Sequence, residues 1–116
     1  MMYIIETVSW TAKAGVERTE MVNAVERMVS DLEKVPGFRY QSLSLKESTA
    51  KNSDESGTPD QWLQLYYWDS VETAHNSNAL MAPTASLSHL ISLIEPNTIA
   101  IDVFIPQQQS SQLTLS

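Results

Sequence analysis

Residues Gln61 to His75 read QWLQLYYWDSVETAH, and this stretch decides how the chain folds. Trp62 to Trp68 is dense in residues that favour extended backbone, so it reads as a strand. Its alternation puts Trp62, Gln64, Tyr66 and Trp68 on one face and Leu63, Leu65 and Tyr67 on the other. Asp69 and Glu72 then make a start resembling a capping box, Asp69 accepting from backbone amides while Glu72 reaches back. The pattern predicts a helix from Ser70 to about Met81, with His75 roughly one and a half turns in. Two tryptophans, two tyrosines and one of the two histidines of the chain thus meet at one strand–helix corner.

Upstream of this corner, Tyr3 to Ala12 is rich in β-branched and aromatic residues and reads as a first strand, turned by Lys13-Ala14-Gly15. From Val16 to Val35, Val22, Val25, Val29 and Leu32 recur at helical spacing, and Met21, Met28 and Val35 widen the stripe. Glu17 and Glu20 at the start and Lys34 near the end have the signs the helix dipole favours. Pro36-Gly37 stops the helix. Phe38 to Ser48 is a second strand, and the polar segment Thr49 to Asp60 a hairpin loop.

Downstream, Pro83 interrupts the second helix, which resumes with Leu87, Leu90, Ile91 and Ile94 on one face and ends at Pro96-Asn97. Thr98 to Ile105 is a fourth strand. The Gln/Ser-rich tail from Pro106 to Ser116 is expected to fray or to drape over a partner. The order β-α-β-β-α-β predicts one α+β domain over residues 1–105, a ferredoxin-like four-stranded antiparallel sheet with its helices on one face.

Such a sheet should present polar residues on its uncovered face. Here both faces of the third strand carry large apolar side chains, and in the fourth Ile99, Ile101, Val103 and Ile105 oppose Ala100, Asp102 and Phe104. An apolar second face predicts a homodimer that pairs two sheets.

Composition narrows the partners. The chain has 116 residues, no cysteine and a formal net charge of −7. Without cysteine there are no disulfides, thiolate nucleophiles or thiolate metal ligands. All seven Lys and Arg lie at or before Lys51. That distribution argues against nucleic acid and against an anionic membrane surface, both of which need clustered cations. No apolar run is long enough to cross a bilayer. The opening MMYIIETVSW lacks the basic region of a signal peptide, so a cytoplasmic location is expected. With Gly15, Gly37 and Gly57 as the only glycines, no phosphate-cradling loop is present, and no cofactor is expected.

Three residues are candidates for proton transfer. His75 beside aromatic walls could act as a general base near neutral pH, or be an ordinary helix-surface histidine. Glu6 and Asp102 lie inside apolar strands that should be neighbours. Buried together, one would hold its proton; at a sheet edge, either would instead discourage aggregation. Trp62, Gln64, Tyr66 and Trp68 could form a flat wall for a planar ligand or simply fill the core. Gln64 is the informative member, because a buried amide must find partners. Glu72 and His75 have Glu-x-x-His spacing, but the second such pair of a carboxylate-bridged metal site is missing, so no metal is expected. His89, flanked by Ser86 and Ser88, comes without the nucleophile-elbow sequence of a hydrolase.

Together these marks resemble the antibiotic biosynthesis monooxygenase-like group of dimeric α/β barrel proteins. The resemblance runs over roughly residues 2–105, through the K-A-G before the first helix, V-P-G-F before the second strand and Y-Y-W-D-S-V-E-T-A-H across the corner. It implies a homodimer and a cofactor-independent oxygenase acting on quinol- or phenol-like aromatics. His75 and Glu6 would then be catalytic, with Trp62, Gln64, Tyr66 and Trp68 binding the substrate. The haem-degrading branch of the group fits poorly, since Val8 and Asn78 stand where its pattern has an asparagine and a histidine. A non-catalytic binder of a small apolar ligand and a lactone or muconate-type isomerase are the alternatives on the same fold.

Overall fold

A computed structural model describes residues 2–47 and 59–110. Its elements run β1 (Ile4–Thr11), α1 (Arg18–Leu32), β2 (Phe38–Leu45), β3 (Gln61–Trp68), α2 (Val71–Met81), α3 (Ala85–Ser92) and β4 (Ala100–Phe104). The strands form one antiparallel sheet in the order β2-β3-β1-β4. This is the expected α+β ferredoxin-like architecture, with the interrupted second helix split into α2 and α3. Residues 48–58, most of the expected hairpin loop, and 111–116, the end of the tail, lie outside the described residues.

Register carries the prediction from the Gln61–His75 stretch into three dimensions. In β3 the burial alternates strictly, with Trp62, Gln64, Tyr66 and Trp68 all buried. They pair across to Trp10, Val8, Glu6 and Ile4 of β1 on the same face. The buried stripe of α1, formed by Met21, Ala24, Val25, Met28 and Leu32, packs on that face together with Ala74, Met81, Leu90 and Leu93 from the other helices. Val22 and Val29 are only half-buried, so the true stripe is rotated toward the methionines. Those unbranched side chains follow the irregular gap between helix and sheet better than valine does.

The opposite face carries Ile5, Leu65 and Tyr67, half-buried, with Leu63 and Phe104 41% and 52% exposed. Thr7, Ser9, Ser42, Ser44 and Asp102 share this face, so it is mixed, with its apolar side chains mainly on β3.

The caps differ in detail from expectation. In α1, Glu17 is the N-cap and Glu20 closes a capping box on it. At the corner the cap is Ser70, one residue later than Asp69. Its Oγ accepts from the Thr73 amide at 3.1 Å, and Thr73 Oγ1 accepts from the Ser70 amide at 3.2 Å. The physical reason is a competing partner: Arg39 takes the Asp69 carboxylate with two guanidinium N–H groups, Nη2 to Oδ2 at 3.0 Å. This bidentate pairing holds the Asp69 carboxyl below the usual carboxylate range. Glu72 is left in the first turn, where the helix dipole favours it.

Losing a Ser cap typically costs about 1 kcal/mol. Ser70→Ala should therefore lower unfolding free energy by roughly that amount in urea melts. Asp69→Ala should leave the far-ultraviolet helical signal unchanged, the reverse of what an Asp69 cap would give.

Candidate functional site

The helices do not cover the sheet out to its β4 edge. On the covered face, Ile101 is 50% exposed and Ile99 is 43% exposed. A narrow cavity of about 160 Å³ enters there and runs between sheet and helices. Its sheet wall is Glu6, Val8, Trp10, Gln64, Tyr66 and Trp68; α2 adds Ser77, Asn78 and Met81, and α1 and α3 add apolar side chains. A more open cleft of about 400 Å³ lies beside it, bounded by Glu6, Val71, His75, Asn78 and residues of β4. Glu6, Asn78 and Ile101 belong to both.

Glu6 is the chemical centre of this arrangement. It is 3% exposed, and its Oε1 accepts from Trp68 Nε1 at 2.8 Å. Burial pushes its carboxyl above the ordinary glutamate value. The Trp68 hydrogen bond and the nearby His75 offset part of that rise. Such a carboxylate is a stronger base than an exposed glutamate, and its conjugate acid survives to higher pH.

Around Glu6 the polar groups are ordered. Gln41 Nε2 donates to Gln64 Oε1 at 2.8 Å, which assigns the Gln64 carbonyl to β2 and leaves its NH₂ toward Tyr66. Burial pushes the Tyr66 hydroxyl well up, the Glu6 carboxylate adds to the rise, and the Gln64 amide offsets part of it. Tyr66 therefore stays a neutral hydrogen-bond donor. Trp10 Nε1 and Trp62 Nε1 are buried without a hydrogen-bond partner among the described residues.

The sequence-derived candidates are sorted by this geometry. Glu6, Gln64, Tyr66 and Trp68 come together in one wall. His75 is exposed on α2 and borders the open cleft, reaching Glu6 through its field rather than by a hydrogen bond. Trp62 is buried in the core away from the cavity, opposite Trp10 in the strand register. Asp102 is exposed and opposite Thr7, so β1 and β4 are neighbours as expected, but the two carboxylates are not buried together.

His89 is exposed in the last turn of α3. Gln41, Trp10 and Ser77 were not among the candidates. Gln41 could be found only from the β2–β3 register, whereas Ser77 lies one helical turn beyond Thr73 on the buried face. Among the described residues, no group of three or more His, Cys, Asp or Glu is placed to hold a metal ion.

Compared by sequence, no family model and no curated protein matches the chain. Solved structures do. SnoaB, a cofactor-independent oxygenase from Streptomyces nogalater, superposes with a TM-score of 0.67 at 14% identity over 97% of this chain and 100% of its own. A Bacillus cereus protein named for the antibiotic biosynthesis monooxygenases gives 0.58 at 19% identity, over 96% and 99% of the two chains. The chain has the fold of the antibiotic biosynthesis monooxygenase-like proteins. An Arabidopsis thaliana protein matches with a TM-score of 0.65 at 11% identity over 92% of this chain and 98% of its own. At such identities the likeness carries the fold, and any reaction must be argued from the site. No helix of the described residues is long and apolar enough to cross a membrane.

Proposed function

We propose that the chain is a cofactor-independent monooxygenase acting on a small planar phenol- or quinol-like aromatic. The reading is carried by Glu6: a buried, base-strengthened carboxylate bonded to Trp68 and shared by an aromatic-walled cavity and the cleft of His75. The likeness to an oxygenase that works without a cofactor supports it.

The chemistry follows from an electron-rich anion. Glu6 removes the phenolic proton, and the resulting phenolate passes one electron to dioxygen. The phenoxyl and superoxide radicals join at an unsubstituted ring carbon ortho or para to the oxygen, and a proton on the peroxide neutralises it. Loss of water with the ring hydrogen at that carbon leaves a quinone, so one oxygen atom enters the product and the other leaves as water. Tyr66 donates to the developing quinone oxygen or to the peroxide, and His75 exchanges the proton of Glu6 with solvent through the open cleft.

His75→Ala should lower oxygen uptake with phenolic substrates by about 10- to 100-fold while leaving substrate affinity intact. Unchanged uptake for every accepted substrate would remove His75 from the mechanism. Isomerisation without oxygen uptake would point to the isomerase alternative.

The apolar side chains of the outer face support a homodimer through the sheet. Leu63→Arg, which puts a charge on that face between Ser9 and Ser44, should convert a species of twice the chain mass into a monomer in light scattering. A wild-type monomer at micromolar concentration would remove the dimer.

A further inference from the structure

We propose that the ligand of this site is a single-ring, uncharged phenol or quinol, its ring in the narrow cavity and its substituents in the His75 cleft. The proposal rests on the aromatic-oxygenase reading of the site and adds limits of size and charge.

Size follows from the cavity. Its volume is about 160 Å³. An apolar cavity of about 150 Å³ accommodates benzene. One ring fits such a space, and a fused three-ring scaffold does not. The walls do not yield easily, because Trp68, Gln64 and Leu90 are at most 2% exposed and packed from behind. Past Glu6 and Asn78 space resumes in the cleft of about 400 Å³ beside His75. Substituents on a ring held at Glu6 can extend in that direction.

Charge follows from the lining. The ionisable side chains along the cavity and cleft are Glu6, Tyr66, His75 and Asp102, with no lysine or arginine. All cationic Lys and Arg side chains lie at or before position 51. A ligand carboxylate would share the cleft with Glu6 and Asp102, with His75 as its one possible partner and no lysine or arginine among the lining residues, so two carboxylates oppose a third. A neutral phenol meets no such opposition: its hydroxyl donates to Glu6 in the cavity wall.

The test uses four probes under argon, read by quenching of tryptophan fluorescence. Trp10 and Trp68 border the cavity, so a bound quinol reports directly. Hydroquinone and methyl 2,5-dihydroxybenzoate should saturate the signal. The free acid, 2,5-dihydroxybenzoate, should bind at least about tenfold more weakly than its methyl ester, and 1,8-dihydroxyanthrone at least about tenfold more weakly than hydroquinone.

Ile101→Trp, which narrows the half-exposed mouth, should abolish binding of the ester. Equal binding of acid and ester overturns the charge limit, and binding of the anthrone as tight as that of hydroquinone overturns the size limit. Ester binding that survives Ile101→Trp places the ligand elsewhere and overturns the proposal. If none of the four binds, the aromatic-oxygenase reading itself falls.

Discussion

Glu6→Gln should lower oxygen-dependent turnover of a phenolic substrate by about 10²- to 10⁴-fold, the usual contribution of a positioned general base. The substitution keeps the side-chain carbonyl that accepts from Trp68 Nε1, so the local geometry survives the loss of basicity. It also removes a buried ionisable group, which gives the prediction a second readout in stability. Burial makes the folded chain hold the Glu6 proton more tightly than the unfolded chain does. Between the ordinary glutamate value and the raised one, the folded state carries the extra proton, so wild-type stability falls as pH rises through that window. The glutamine amide of the variant does not titrate. In denaturant melts across pH, the variant should gain on the wild type from the ordinary glutamate value upward and level off above the raised one. Lost activity with a pH-independent stability difference would mean that Glu6 is not buried and proton-retaining as described. Retained activity would mean that another group takes the proton.

Glu6 was legible as a candidate because a carboxylate inside an apolar strand is costly wherever it is buried. Its partner was not. The sequence makes Asp102 the tempting neighbour, but the β1–β4 register sets Glu6 opposite Val103, and one residue of offset turns Asp102 to the other face. The aromatic wall was half legible for a related reason. Period two places Trp62, Gln64, Tyr66 and Trp68 on one face, and all four are buried there. At the far end of that face, however, Trp10 rather than its register partner Trp62 borders the cavity, and Trp62 lies beside Val22, Val25 and Leu43 instead. Of the four, only Tyr66, Gln64 and Trp68 border the cavity. The corner cap slipped by one residue because local sequence offers both Asp69 and Ser70. Only the approach of Arg39, from a strand 30 positions earlier, decides between them.

The same corner carries the second large effect. Gly37→Ala should destabilise the chain by about 3 kcal/mol, lowering the thermal midpoint by more than about 10 °C. Gly37 has φ +87°, a region where a side chain is strained, and a Cβ there would lie 2.6 to 2.7 Å from three side-chain atoms of Thr73. Thr73 cannot withdraw without breaking its hydrogen bonds with Ser70 at the start of α2. Gly15 separates the two contributions: it has the same φ of +87° but open space where its Cβ would be. Gly15→Ala should therefore cost only about 1 kcal/mol, the backbone strain alone. The difference between the two variants measures the contact with Thr73. Equal losses would show that Thr73 yields, and that the β2–α2 approach is looser than drawn. The consequence reaches the site, because the Gly37 carbonyl also accepts from the Asp69 amide at 2.9 Å and ties the end of β3 to the chain leaving α1. Trp68 is the last residue of β3 and His75 lies on the helix that follows. A Gly37→Ala chain that still folds at low temperature should thus lose turnover with phenols beyond its loss of folded protein, as α2 and His75 are pushed away from Glu6.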